Sequence, residues 1–502
     1  MAKLQRQYVS KLVPENPTLL LAVLIAVAIV NSVTLGYDSS MMNGLAIKTT
    51  YTDYFHINTA TEGLNNAAGW IGNFMACFFM QPFADKWGRK TGILIAACVC
   101  FVGILIQAAA QNTGMFVVGR IIVGLGSELS SAAAPTLIGE LIPASSRGAI
   151  LGFFYSCFYL GGIIASGINY GTRRITTTWS WRIPSILQVI PSLLAIVLLP
   201  FIPESPRWLV QNGQHEHALE VLVIFQGQSN HDSVEVQKTF EEIETTLASE
   251  NDMYKGNPWS ELISTPANRK RLIIAVSFGL MIELFGNFVV SYYLGSILDQ
   301  AGITNTDTQL KISLILSCWC FAMAIFGSFM LDILGRRIQT LGGITGMIIS
   351  LCLLGGLISR FGESSNKSGI YGSIAAIFLF QGCFSFSITP LTCLYPTEVF
   401  QYKLRNAGIS VFRFLDTGCG LMASFAMSYG MANLGWKFYI VNASYDLLFL
   451  ACVYFFWVET KGISLEEIAL QFSDTIVSTS TVTPHEDETT NKLEEKAINK
   501  DF

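Results

Sequence analysis

The chain has 502 residues, of which 51% are hydrophobic and only 13% charged, with 43 glycines and a formal net charge of −5. Soluble domains carry about 25% charged residues, so this balance points to lipid as the solvent, and the mean hydropathy of +0.47 agrees. The acidic balance excludes a nucleic-acid partner, which needs a basic surface, and the 11 cysteines, with no CxxC pair and no histidine at ligand spacing, exclude a zinc site and a disulfide frame.

A bilayer core of about 30 Å needs about 20 largely apolar residues per helix. Twelve such runs follow in order, near 18–38, 63–83, 92–110, 115–136, 149–169, 183–202, 272–297, 312–331, 338–358, 372–394, 407–428 and 438–457. The first follows a polar segment, 1–17, that holds Lys3, Arg6 and Lys11, and no small-residue cleavage site comes after it, so it reads as a retained helix and not a signal peptide. The expected organisation is a six-helix bundle at 18–202, a cytoplasmic linker with short helices at 203–271, a second bundle at 272–457, and a tail at 458–502, largely disordered after 473. With both ends cytoplasmic, 21 Lys and Arg residues fall inside and about eight outside. Arg173, Arg174 and Arg182 go against that trend. Asn366-Lys367-Ser368 is a glycosylation sequon in an outer loop, used or unused.

The chain repeats itself. Asp85-Lys86-Trp87-Gly88-Arg89-Lys90 after the second run recurs as Asp332-Ile333-Leu334-Gly335-Arg336-Arg337 after the eighth. Glu140 and Arg147 recur as Glu398 and Arg405, while Glu204 and Arg207, after the sixth run, find their counterpart in Glu459, after the twelfth. Three charged elements in one order at nearly one offset imply a duplicated six-helix unit. All lie at cytoplasmic helix ends, where opposite charges of the two halves can pair and separate as a gate. The plainer reading is that they only orient helices.

Together with Glu140–Gly148, Pro203–Leu209, Tyr395-Pro396-Thr397-Glu398 and Glu459-Thr460-Lys461-Gly462, these elements resemble the sugar porter family of the major facilitator superfamily, from about Gly36 to Glu467. Within it, Gly286-Asn287, Ser291-Tyr292-Tyr293-Leu294 and Thr389-Pro390-Leu391 look most like the fungal lactose permease and cellodextrin transporter branch. The resemblance implies an all-α membrane protein of twelve helices in two pseudo-symmetric bundles, rocking around a central cavity.

An ionisable side chain at the bilayer centre costs about 2.5–3.5 kcal/mol on insertion scales, so each needs a partner or a task. The resemblance makes Asp38 in the first run and Arg120 in the fourth a proton-coupling pair; a static ion pair is the alternative. Glu283 stands where the family carries a sugar-binding Gln, and can accept hydroxyl protons, hold a cation, take a proton, or bond Asn287 one turn on. Arg413 and Asp416 share a face of the eleventh run and can pair or meet ligand. Glu128 either tunes Arg120 or faces a packed partner. Hexose-porter glutamines are replaced by Tyr155 and Gly162, and a tryptophan by Cys393; with Gly161 these suggest room for a larger sugar. Trp70, Tyr155, Tyr159, Tyr292 and Tyr293 can stack on sugar faces or simply pack.

The sequence thus predicts a symporter in the cell membrane, multi-pass and monomeric, that takes up a neutral sugar, a disaccharide such as lactose or cellobiose, with protons. It needs no cofactor or metal beyond the proton gradient and is no enzyme, since no Walker loop or GxSxG elbow is present. The predicted substrate contacts are Tyr155, Glu283, Asn287, Tyr292, Tyr293 and Asp416. The alternatives are a transporter of a fungal secondary metabolite, including an exporter, and a sugar sensor that does not transport.

Overall fold

The computed structural model describes residues 7–79, 86–142, 144–226, 234–253, 258–361, 367–400, 402–461 and 472. Asp85 and Asn366 lie outside them, as do the side chains of Arg147, Tyr292, Asp332, Cys393 and Arg405. All regular structure among the described residues is helical. Nine helices there are long and apolar enough to cross a membrane. Helices Thr59–Cys77 and Ala144–Gly171, and the pair Pro266–Leu284 and Asn287–Gln300, stand at the second, fifth and seventh predicted runs.

Several spans outrun their apolar cores, because polar caps set their ends. Asn16, Asn112 and Asn305 each accept a first-turn N–H, starting the first span at Pro17–Ala46, the fourth at Thr113–Leu141 and the eighth at Thr306–Leu334. The seventh span breaks at Gly286, whose φ of +88° suits glycine. The twelfth span, Lys437–Phe456, satisfies the carbonyls the break leaves open. Asn442 Nδ2 donates to Phe285 O at 3.0 Å, and Tyr445 Oη to Leu284 O at 2.6 Å.

The duplication read in the charges also governs packing. The third span packs on the fourth and sixth, the first on the fifth and the second on the fourth; in the other half the ninth packs on the tenth and twelfth, the seventh on the eleventh and the eighth on the tenth. Between halves the fifth meets the eighth and the second meets the eleventh, two contacts related by the same six-span offset.

Small residues allow the close approaches within each half. A side chain at Gly36 would run into the backbone of Phe158, and one at Gly161 into that of Val33, so the first and fifth spans press together there. Gly161 therefore makes helix contact rather than room for ligand, which corrects the sequence reading. Gly162 is likewise filled: a Cβ there would lie 2.8 Å from Ser40 Oγ.

The linker folds as helices Pro206–Gln211, His215–Gln226, Val234–Met253 and Pro258–Ser264. Val221, Val223 and Phe240 share one apolar cluster with Leu137, Ile138 and Phe154 of the first half. The N-terminal segment docks on it: the backbone N–H groups of Gln7, Tyr8 and Val9 donate to Glu220 at 3.3, 2.9 and 3.3 Å.

Candidate transport site

Asp38 and Arg120 meet inside the first half. Arg120 Nη1 donates to Asp38 Oδ1 at 2.5 Å, with Arg120 only 1% exposed and Asp38 8%. Gln188, at the joint between Trp179–Leu187 and Val189–Leu198 of the sixth span, donates its Nε2 to the same oxygen at 2.7 Å. Gly69 on the second span makes space for the pair, since a Cβ there would stand 3.0 Å from Arg120 Nη2 and 3.7 Å from Asp38 Oδ2. One carboxylate thus shares two donors on one oxygen, and one cation balances one anion without help from the other half.

A neutral polar centre lies where the fifth, seventh and tenth spans face each other. Gln381 Nε2 donates to Asn287 Oδ1 at 2.7 Å, and Ser291 Oγ reaches the same oxygen at 3.4 Å. Tyr159 crosses between halves, its hydroxyl 3.2 Å from Thr389 Oγ1 and accepting from Ser385 Oγ at 2.8 Å. Serine pairs continue the crossing toward either side, Ser166 with Ser317 and Ser156 with Ser328, each at 3.2 Å. These amides and hydroxyls both donate and accept, the chemistry that exchanges bonds with a polyhydroxyl ligand.

The predicted contacts divide. Asn287 joins this centre. Tyr155 instead packs on the apolar cluster of the first half and stacks on Phe158, with centroids 6.3 Å apart. Tyr293 is buried, and its hydroxyl donates to Ser424 O at 2.9 Å, tying the seventh span to the eleventh, Tyr402–Leu434. Glu283 and Asp416 join a separate charged group: Arg413 Nη1 donates to Asp416 Oδ2 at 3.3 Å, and Arg413 Nε lies 4.0 Å from Glu128 Oε1. Gln188 and Gln381 escaped the sequence reading because neutral amides in apolar runs resemble helix fill; the signal was that any amide in lipid needs a partner. Asp446 on the twelfth span also escaped it. It is fully buried, and neither carboxyl oxygen has a hydrogen-bond partner among the described residues.

Comparison with known proteins gives this geometry its setting. Residues 24–472 match the family model described as "Sugar (and other) transporter". The chain belongs to this family. It is 28% identical to the MFS-type transporter criB of Aspergillus cristatus, over 88% of this chain and 90% of that one. It is also 28% identical to a high-affinity glucose transporter of Kluyveromyces lactis, over 90% and 84%. The xylose symporter XylE from E. coli superposes with a TM-score of 0.76 at 22% identity, over 90% of this chain and 99% of XylE, which shows the major facilitator fold. This sugar-transporter family member is a multi-pass membrane protein and not an enzyme.

In this transporter the repeated charges form one network twice. Glu204 accepts the N–H groups of Arg89 at 3.0 Å and Lys90 at 3.1 Å, where the third span, Arg89–Ala108, begins after Gly88. Arg89 in turn holds Glu140 at 3.2 Å, and Ser205 Oγ donates to Glu140. In the second half Glu459 accepts the N–H groups of Arg336 at 2.9 Å and Arg337 at 3.0 Å after Gly335, Arg336 holds Glu398 at 2.8 Å, and Thr460 Oγ1 donates to Glu398 at 2.7 Å. Gly88 and Gly335 both have a φ of +90°. Arg89, Glu140, Glu204, Arg336, Glu398 and Glu459 therefore pair within their own half, with Glu204 and Glu459 each sitting on a helix N-terminus. Arg207 lies half-buried on Pro206–Gln211.

The three arginines that defied the positive-inside trend include two with structural duties on the opposite side. Arg173 pairs with Asp307 of the other half and stands 3.7 Å over the Tyr170 ring, while Arg182 donates to the carbonyls of Ala108 and Ala110 at 3.3 and 3.1 Å.

Proposed function

We propose that the chain is a proton-coupled sugar symporter of the cell membrane, with both termini cytoplasmic, working by alternating access. The observation that carries this reading is the buried Asp38–Arg120 pair with Gln188 on the same oxygen. A carboxylate balanced by one arginine is a reversible proton site: protonation from outside breaks the charge balance, loosens Arg120, and lets the first and fourth spans shift. The sugar binds between Tyr159, Asn287, Gln381 and Ser385, whose mutual bonds it replaces. The similar proteins support both halves of the reading, one a high-affinity glucose transporter and one a proton:xylose symporter.

For substrate size, the replaced fifth-span glutamines and the lactose permease-like Gly286-Asn287 and Thr389-Pro390 elements still favour a disaccharide, whereas the glycine argument is gone. The gate proposed for the cytoplasmic side falls to the rest of the charged set, Asp85, Arg147, Arg207, Asp332 and Arg405. A second reading, a non-sugar metabolite transporter, draws on the Glu128, Glu283 and Asp416 carboxyls and on the likeness to criB.

The test is uptake of labelled glucose, cellobiose, lactose and maltose into transport-deficient yeast, with and without a pH gradient, beside Asp38→Asn. Gradient-driven entry of one sugar, sharply reduced in the variant, is the expected result. Absence of flux for every sugar, with the protein at the cell surface, sinks the sugar reading in favour of the metabolite transporter.

A further inference from the structure

The second set of membrane charges differs from the first in its arithmetic. Glu128 comes from the fourth span of one half; Glu283, Arg413 and Asp416 come from the seventh and eleventh spans of the other. Gly279 brings those two spans together, since a Cβ there would lie 2.8 Å from Phe412 O and 3.4 Å from Asp416 N. Glu283 follows one turn later on the same face and interacts electrostatically with both Asp416 and Arg413. Glu128, Glu283 and Asp416 are 4%, 7% and 5% exposed. Three buried carboxyl groups therefore share one guanidinium, Asp416 at 3.3 Å and Glu128 at 4.0 Å with Glu283 near enough to interact, and full ionisation would leave two negative charges uncompensated among the described residues. That is a costly arrangement unless something positive joins it.

Two acceptor atoms await such a charge. Glu128 Oε1 and Asp416 Oδ1 are buried without a hydrogen-bond partner among the described residues, and the gap of 4.0 Å from Arg413 Nε to Glu128 Oε1 is an ion contact, not a hydrogen bond. Among the described residues, the other titratable groups facing the cluster are thiols: Cys77 of the second span, 3.3 Å from Thr417 Oγ1, and Cys419 of the eleventh. Neither supplies positive charge.

We propose that Glu128, Glu283, Arg413 and Asp416 form a second proton site, separate from Asp38, whose occupancy follows the relative position of the two halves. Arg413 serves Asp416 within its own half and Glu128 across the interface. When rocking draws Glu128 away it loses its counter-charge and takes a proton from water on the open side; when the halves return, Arg413 replaces that proton, which leaves to the water then accessible. The proton enters and leaves as such, and no covalent bond other than the carboxyl O–H is made or broken.

The first test needs no sugar and so stands apart from the proposed function. The full chain in lipid nanodiscs is examined by infrared spectroscopy for the protonated-carboxyl stretch between about pH 5 and pH 9, a range that spans perturbed carboxyl groups. Wild type and Asp38→Asn should both show a titrating band that loses intensity in Glu128→Gln, Glu283→Gln and Asp416→Asn. Asp446→Asn marks any contribution from that separate carboxyl. The three amide variants are near-isosteric, so each one that elutes as a folded monomer gives a reading, and the titration of wild type against Asp38→Asn decides if none does. A band unmoved by the cluster variants, or no titrating band in Asp38→Asn, overturns the proposal.

A transport arm rests on the symporter reading. At zero membrane potential, each coupled proton contributes about tenfold accumulation per pH unit, so two protons give about a hundredfold. Glu128→Gln should reduce the wild-type ratio about tenfold, and an unchanged ratio counts against the second site. If Asp38→Asn leaves gradient-driven uptake intact, the symporter assignment of Asp38 fails, while the infrared result still decides the cluster.

Discussion

The fourth span carries two acid–base contacts two turns apart, and they are built on opposite principles. At Arg120 the cation, its carboxylate and the supporting Gln188 all belong to one half, at 2.5 and 2.7 Å. At Glu128 the partner is Arg413 of the other half, 4.0 Å away and already engaged with Asp416. A pair inside one rigid bundle changes only when its own proton does. A contact across the bundles changes whenever they move, so on the proposals above the first answers to its own proton and the second to the position of the halves.

The comparison breaks most sharply at Arg120. Arg120→Ala strands a buried carboxylate, for which loss of one partner costs about 3–5 kcal/mol, so a large fall in thermal stability in detergent is expected. Arg413→Ala should cost less, since its contacts of 3.3 and 4.0 Å are looser. Equal losses would show the two sites to be one kind. Asp38→Asn keeps an acceptor for Gln188 and Arg120, so it should lose less stability than Arg120→Ala, yet forfeit the proton coupled at this site, about tenfold in accumulation per pH unit, while sugar exchange continues. Next in size, Gln188→Leu removes a hydrogen bond to a charged group, worth about 1.5–3 kcal/mol, and should shift the pH dependence of uptake without abolishing it.

Much of this was legible. Twelve apolar runs and the doubled charge elements could be read because lipid makes spans long and charges conspicuous, whereas the pairing of Asp38 with Arg120 came from the family resemblance, since charge alone does not say which helix faces which. What could not be read is which neighbour a residue meets. Gly161 suggested space and proved to be a helix contact, a distinction that rests on Val33. The sequence reading chooses Tyr155 over Tyr159, one turn on, but it is Tyr159 that joins the polar centre, while Tyr155 stacks on Phe158. The cytoplasmic charges suggested pairing across the halves. Their described members pair locally, because Glu204 and Glu459 each end a sixth or twelfth span directly beside the N-terminus of a third or ninth.

That local pairing gives a prediction about the repeat itself. Glu204→Gln and Glu459→Gln keep an acceptor oxygen but lose the charge at a helix N-terminus, worth about 0.3–1 kcal/mol. Glu→Ala at either position removes the shared acceptor from several backbone donors and should cost about 1–3 kcal/mol. Because the two networks match except for the Lys461 N–H on Glu459, which Pro206 cannot reproduce on Glu204, the two halves should respond nearly alike in thermal unfolding. If only Glu459→Ala is damaging, the docked linker and N-terminal segment brace the first half independently of Glu204.

The smallest effect is expected where the halves touch on the side opposite the linker, at Arg173 and Asp307. Lys311 and then Arg173 donate to the Asp307 carboxylate and hold it below its ordinary range. A lowered carboxyl pKa means that this contribution to closure is complete above the ordinary carboxylate range and is lost only as pH falls through the lowered value. The contact therefore stays constant at neutral pH and fades in acid. The site is only partly buried, so screening leaves it weak, and Arg173→Ala should change the transport rate by less than about fivefold. The same ion pair should matter less still as salt rises. An Arg173→Ala effect as large as that of Arg120→Ala, or one insensitive to salt, would mean that this contact, and not the buried Glu128–Arg413 crossing, sets the balance between the two arrangements of the halves.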